Sequence, residues 1–277
     1  MRMTLMFAAT AAAALAAGAA SAASVEVKDA VARVTVIPEN RSDIKIEVIH
    51  ANPQLPLEVR TFAGRTILDG RLGRRIRDCH GSGENVSVRV RSVGDVAWRD
   101  MPQVVIHTPR DVKVETGGAV FGSVGRSANL KLGNAGCGDW TVANVEQQMR
   151  VSQAGSGSTR TGSSGQANIR VAGSGDTVVG EVRGGLDVDI AGSGDVAVAS
   201  IAGPLGVHIA GSGDVKVAGG RATTMTVSVA GSGNVDFRGS ADSLKARIAG
   251  SGDVRAREVK GQVSKTVMGS GGVTIGD

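Results

Sequence analysis

Ile190-Ala191-Gly192-Ser193-Gly194-Asp195-Val196 is one copy of a motif that recurs through the second half of the chain. Ala-Gly-Ser-Gly returns with its first glycine at Gly155, Gly173, Gly192, Gly211, Gly231 and Gly250, and Met268-Gly269-Ser270-Gly271 is a variant. The steps are 18, 19, 19, 20, 19 and 19 residues. One step before Gly155 stands Ala135-Gly136-Cys137-Gly138-Asp139, with cysteine in the serine slot. One step further back, at Gly117-Gly118, the register is ambiguous. A unit this short cannot bury an apolar face by itself, so a fixed period of this size marks a stack of repeats.

The residues between the glycine corners alternate. Leu186, Val188 and Ile190 are separated by Asp187 and Asp189, and the next repeat has Leu205, Val207 and Ile209 around Gly206 and His208. Met225, Val227 and Val229 follow, then Leu244, Ala246 and Ile248. Beyond each corner lie Val196 with Val198, Val215 with Val217, and Val235 with Phe237, and Gly184, Gly203 and Gly261 mark another corner. Period-two alternation places one strand face inside and the other in water. The expected fold is all-β: a right-handed parallel β-helix of about 19 residues per turn over 111–277. Eight turns stacked at ~4.8 Å predict a rod of roughly 35–40 Å. Calcium-binding nonapeptide repeats do not fit, because this unit is about twice as long and carries Asp directly after the last glycine. Lys265 falls on an otherwise apolar column, an inward charge of the kind that discourages further stacking at an edge.

Residues 23–110 lack the repeat but still alternate, at Val25 to Val27, Val34 to Val36, Ile44 to Val48, Val86 to Val90 and Val104 to Ile106. They are expected to form a β-rich N-terminal cap, because an open sheet end invites pairing with other chains. Residues 1–22 read as a signal peptide: Arg2, an Ala-rich apolar run, and Ala20-Ser21-Ala22 at the cleavage site. The expected location is exported, periplasmic or extracellular, without a transmembrane anchor. Glycine numbers 41 of 277, about twice the usual ~7%. Tyrosine is absent, and beyond the signal the aromatic residues are Phe62, Phe121, Phe237, Trp98 and Trp140. The core must therefore be thin and aliphatic. Without Arg2 the chain holds 30 basic and 26 acidic side chains, a mild excess partly gathered at Arg60, Arg65, Arg71, Arg74, Arg75 and Arg77. That group reads as a solvated loop rather than a basic binding patch, and nucleic acid is not an expected partner.

The repeated Ile190-to-Val196 motif resembles the bacterial family called putative auto-transporter adhesin, head GIN domain. The resemblance implies an exported β-helical domain with an adhesin-like role. No translocator barrel follows Asp277, so self-display as an autotransporter is not expected.

Little catalytic chemistry is legible. The serine ladder Ser156, Ser174, Ser193, Ser212 and Ser251 lacks a Gly-x-Ser-x-Gly elbow, and the four histidines, His50, His80, His107 and His208, are scattered. No catalytic residue, cofactor or metal site is expected. Asp139, Asp176, Asp195, Asp214 and Asp253 share one slot of the repeat, which Ser158 and Asn234 also fill. Stacked carboxylates admit two readings, a cation ladder or corner capping by backbone N–H groups, and the side chains Ser158 and Asn234 favour capping. Cys79 and Cys137 are the only cysteines, and in an exported chain they are expected to form a disulfide. The expected function is a non-catalytic binding or envelope-scaffold module whose partner is an envelope polysaccharide or protein. The alternative is a carbohydrate-active β-helix enzyme with its site in the cap, near Arg74, His80 and Trp98.

Overall fold

A computed structural model describes residues 24–62 and 64–276. The signal-peptide reading of 1–22 lies outside the described residues. The chain winds into a right-handed β-solenoid of about nine turns with about 19 residues per turn. Each rung contributes a first face running into the Gly-Ser-Gly corner, a second face after it, and a short third face. On the first face the registered column Leu186, Leu205, Met225, Leu244 and Val263 is joined by parallel pairing. On the second face Val196, Val215, Val235, Val254 and Val273 do the same. Ile201 and Val182 line the third face, in register with one another. The columns expected to point inward do so: Leu186, Val188, Ile190 and their equivalents in the next three rungs are buried. Like residues stack on like at the strand spacing, so a narrow interior is filled mainly by aliphatic side chains, with Trp140 and Phe237 the largest groups inside it.

The stack begins earlier than its repeat. The sequence reading set the coil at 111–277 behind the cap, yet strand Ser24–Glu39 lies in parallel register on Asp111–Val124, as Val25 on Val114 and Val34 on Gly122. It is a rung whose alternation matches the others but whose corner lacks the Ala-Gly-Ser-Gly signature. Residues 40–110 are thus inserted between two neighbouring rungs. On its outer side Ser24–Glu39 carries Arg65–Asp69 and Gln103–Pro109 in parallel. Antiparallel strands Glu58–Phe62 and Lys45–His50 close over those two. The outermost strands bear Lys45, Glu47, Glu58 and Arg60, charges that oppose edge-to-edge association. A separate antiparallel sheet, Ile76–His80, Ser87–Val90 and Gly94–Ala97, covers a second small core containing Val31, Val88, Met101 and Phe121. At the far end Lys265 occupies the inward column in register with Ala246 and is exposed.

The ambiguous glycine pair is resolved by register: Gly118 pairs with Gly136, which pairs with Gly155. In these early rungs the interior turns polar. Thr116, Asn134 and Gln153 hold the inward slot that Ile190 and Ile209 hold later, and all three are buried. They form a chain along the rod axis. Thr116 Oγ1 donates to Asn134 Oδ1 (3.2 Å), Asn134 Nδ2 to Gln153 Oε1 (3.1 Å), and Thr159 Oγ1 to the same Gln153 oxygen (3.0 Å). The chain is anchored to the backbone as well, through Thr116 Oγ1 to Gly133 O (3.2 Å) and Asn134 Nδ2 to Gly138 O (2.6 Å), so a slip of one rung against the next would break several buried bonds at once. Trp140 fills the remaining width, its Nε1 donating to Val120 O at 2.9 Å.

Candidate functional site

Three arrangements of side chains come out of this stack. The first is the aspartate column. Because each corner repeats one rung away, an Asp carboxylate meets the amide of its own successor. Ser158 N–H donates to Asp139 Oδ1 (2.8 Å), Asp195 N–H to Asp176 Oδ1 (3.0 Å), and Asp214 N–H to Asp195 Oδ1 (2.8 Å). Asn234 N–H bonds Asp214 Oδ1 (2.9 Å), Asp253 N–H bonds Asn234 Oδ1 (2.9 Å), and Gly272 N–H bonds Asp253 Oδ1 (2.8 Å). Serine is too short to continue the chain from Ser158 to Asp176. Asn234 takes its place in the same chain of bonds as its neighbours, and we propose that the slot requires an acceptor oxygen rather than a charge. Asp195→Asn is therefore expected to leave stability nearly unchanged, and Asp195→Ala to lower it by about 1 kcal/mol. Thermal melting with and without calcium checks this; a calcium-induced rise in Tm lost in Asp195→Asn would show a cation ladder instead.

The second arrangement is the first face's outer surface. Arg170, Asp189, His208, Ser228 and Arg247 stand in one unbroken register, one per rung. Arg170 Nε reaches Asp189 Oδ2 at 3.4 Å, and His208 Nδ1 lies 3.8 Å from Asp189 Oδ1. Arg247 has no ion-pair partner among the described residues. Beside this ladder runs an exposed column of alanines, Ala172, Ala191, Ala210 and Ala230. Their small side chains leave a shallow groove of about 470 Å³ along the rod, with Arg170, Asp189 and His208 as one rim.

The third is a cleft of about 290 Å³ where the cap turns meet the earliest rungs, lined by Arg33, Gln103, Trp98, Phe121, Ser123 and Asp139, among others. Arg74 and His80, the other two residues of the alternative reading, do not line it. Half of the cap's basic group is paired: Arg60 with Asp69 (2.8 Å), Arg65 with Glu26 (3.2 Å), and Arg71 with Glu58, while Arg74, Arg75 and Arg77 have no ion-pair partner among the described residues. His107 bonds Glu39 (3.0 Å) and holds that carboxyl below the usual carboxylate range; His50 and His80 are exposed on the cap.

Cys79 and Cys137 are joined in a disulfide, with Cα atoms 6.2 Å apart. It ties the edge of the antiparallel cap sheet to the corner after Gly136. Among the described residues no helix is long and apolar enough to cross a membrane.

The polar interior and the cleft escaped sequence reading. Asn134 and Gln153 occupy the inward slot at one repeat's distance from each other, so extending the register backwards would have found them. Nothing local announces that Arg33 meets Trp98. No curated protein matches the chain. Residues 183–276, the later and most regular rungs, match the model of the family described as putative auto-transporter adhesin, head GIN domain.

Proposed function

We propose that the chain is an exported, non-catalytic binding module that lays the first-face groove along an envelope polysaccharide or an extended protein segment. The observation that carries this reading is the groove itself. A floor of alanines repeats once per rung, roughly every 4.8 Å, beside a registered ladder of differing polar side chains, Arg170, Asp189, His208 and Ser228. Repetition of weak contacts suits an extended polymer, because each added rung binds without a new entropic cost of association. The disulfide and the adhesin description of the matched family support export and binding.

Catalysis finds less support. Glycoside hydrolysis ordinarily needs two carboxyl groups flanking one bond. The cleft near Trp98 is lined by one, Asp139, whose Oδ1 already accepts the Ser158 amide. The test is capture of envelope extract and arrayed glycans by the mature protein, beside a screen for glycan cleavage. Capture without cleavage is expected, falling with added salt as exposed charges are screened. Ala210→Tyr, which fills the groove from an exposed position, is expected to abolish capture while leaving Tm unchanged. Turnover of any glycan, or capture indifferent to Ala210→Tyr, would overturn the reading.

A further inference from the structure

The cleft between cap and coil is built from two registered columns and a wall. Gln103, Arg33 and Phe121 stand side by side on neighbouring strands, and Thr35, Ser123 and Thr141 form the adjacent column. Trp98, from a turn of the cap, forms the wall: its ring lies 5.6 Å from Phe121 edge to face, and Arg33 Cζ sits 5.3 Å over it. Asp139 also lines the cleft.

Arg33 is anomalous here. Its guanidinium makes no hydrogen bond or ion pair among the described residues, and its Nε is buried without a partner. A buried donor left unpaired is costly, and buried polar groups are otherwise almost always satisfied. Trp98 packs against the cation, and with Nε closed off from solvent the two terminal nitrogens are the donors left to meet a carboxylate. The remaining groups select what carries that carboxylate. Gln103, Ser123, Thr141 and the free oxygen of Asp139 are acceptors and donors suited to hydroxyls, and Asp139 opposes a dianion such as phosphate.

We propose that this cleft binds one acidic sugar unit, a hydroxylated ring whose carboxylate lies on Arg33 and whose hydroxyls meet Gln103, Ser123, Thr141 and Asp139. The site is separate from the first-face groove and stands or falls without it. The test is titration of the intact mature protein, read by calorimetry and by tryptophan emission, with methyl glucuronide, methyl glucoside and inorganic phosphate, and with Trp98→Phe to assign the emission change to Trp98. Glucuronide is expected to bind in the millimolar range with a change in Trp98 emission, and glucoside and phosphate at least 10-fold more weakly. Arg33→Gln is expected to weaken glucuronide binding at least 10-fold. Thr141→Glu, an exposed change that leaves Arg33 and Trp98 in place, is expected to do the same at unchanged Tm. No glucuronide binding to the parent protein, equal binding of glucoside, preference for phosphate, or binding insensitive to Thr141→Glu would each overturn the assignment. Envelope capture that persists in Thr141→Glu would still belong to the groove.

Discussion

Gly211→Ala is expected to destabilise the solenoid by about 3–5 kcal/mol, a large effect for a single substitution at a corner. Gly211 has φ +142°, a region that side chains rarely enter. A Cβ there would lie 2.1 Å from the carbonyl oxygen of Gly192, a backbone atom of the neighbouring rung that cannot swing aside. The second glycine of the motif is needed for a different reason. Gly213 has no positive φ, but its Cβ would stand 2.3 Å from Gly194 O. The serine between them is free of both constraints, which is why cysteine can replace it at Cys137. Because each rung touches only its neighbours, the damage should spread locally. Hydrogen exchange is expected to show lost protection across the rungs around 192–250 while 24–124 stays protected. Gly219→Ala, with nothing within 4 Å of its added Cβ, is the neutral control. A Gly211→Ala protein with the urea midpoint of the parent would refute the close-stacked corner.

Removing the disulfide is expected to be nearly as damaging to the cap. The bond closes a span of 58 residues, worth about 4 kcal/mol on the chain-entropy account. Cys79→Ser with Cys137→Ser should therefore lower the first melting transition, and reductant should do the same to the parent protein. The loss should fall on Ile76–His80 and the strands paired to it, since the later rungs are held by their own columns. Exchange that is unchanged throughout 76–97 after reduction would show that the second core, around Val88 and Met101, suffices to hold this sheet.

The chain's stacking was decided by its sequence. Apolar residues at period two within a corner-to-corner period of about 19 admit only one arrangement that buries every column. That arrangement set Leu186, Val188 and Ile190 inside and placed each Asp beneath its successor's amide. The expected rod of eight turns became about nine because strand Ser24–Glu39 joins the stack. Its corner has none of the glycines that a rung-to-rung contact demands elsewhere, so only pairing with Asp111–Val124 revealed it. The buried amides of Asn134 and Gln153 were hidden differently: polar side chains in an inward slot look solvated until the rungs on either side supply partners. The cleft was out of reach altogether. A repeat records contacts between residues one period apart, and the meeting of Arg33 with Trp98 and Phe121 has no period. It follows from folding the 40–110 insertion back over the first rungs, a long-range packing outcome that leaves no mark on neighbouring residues in the chain.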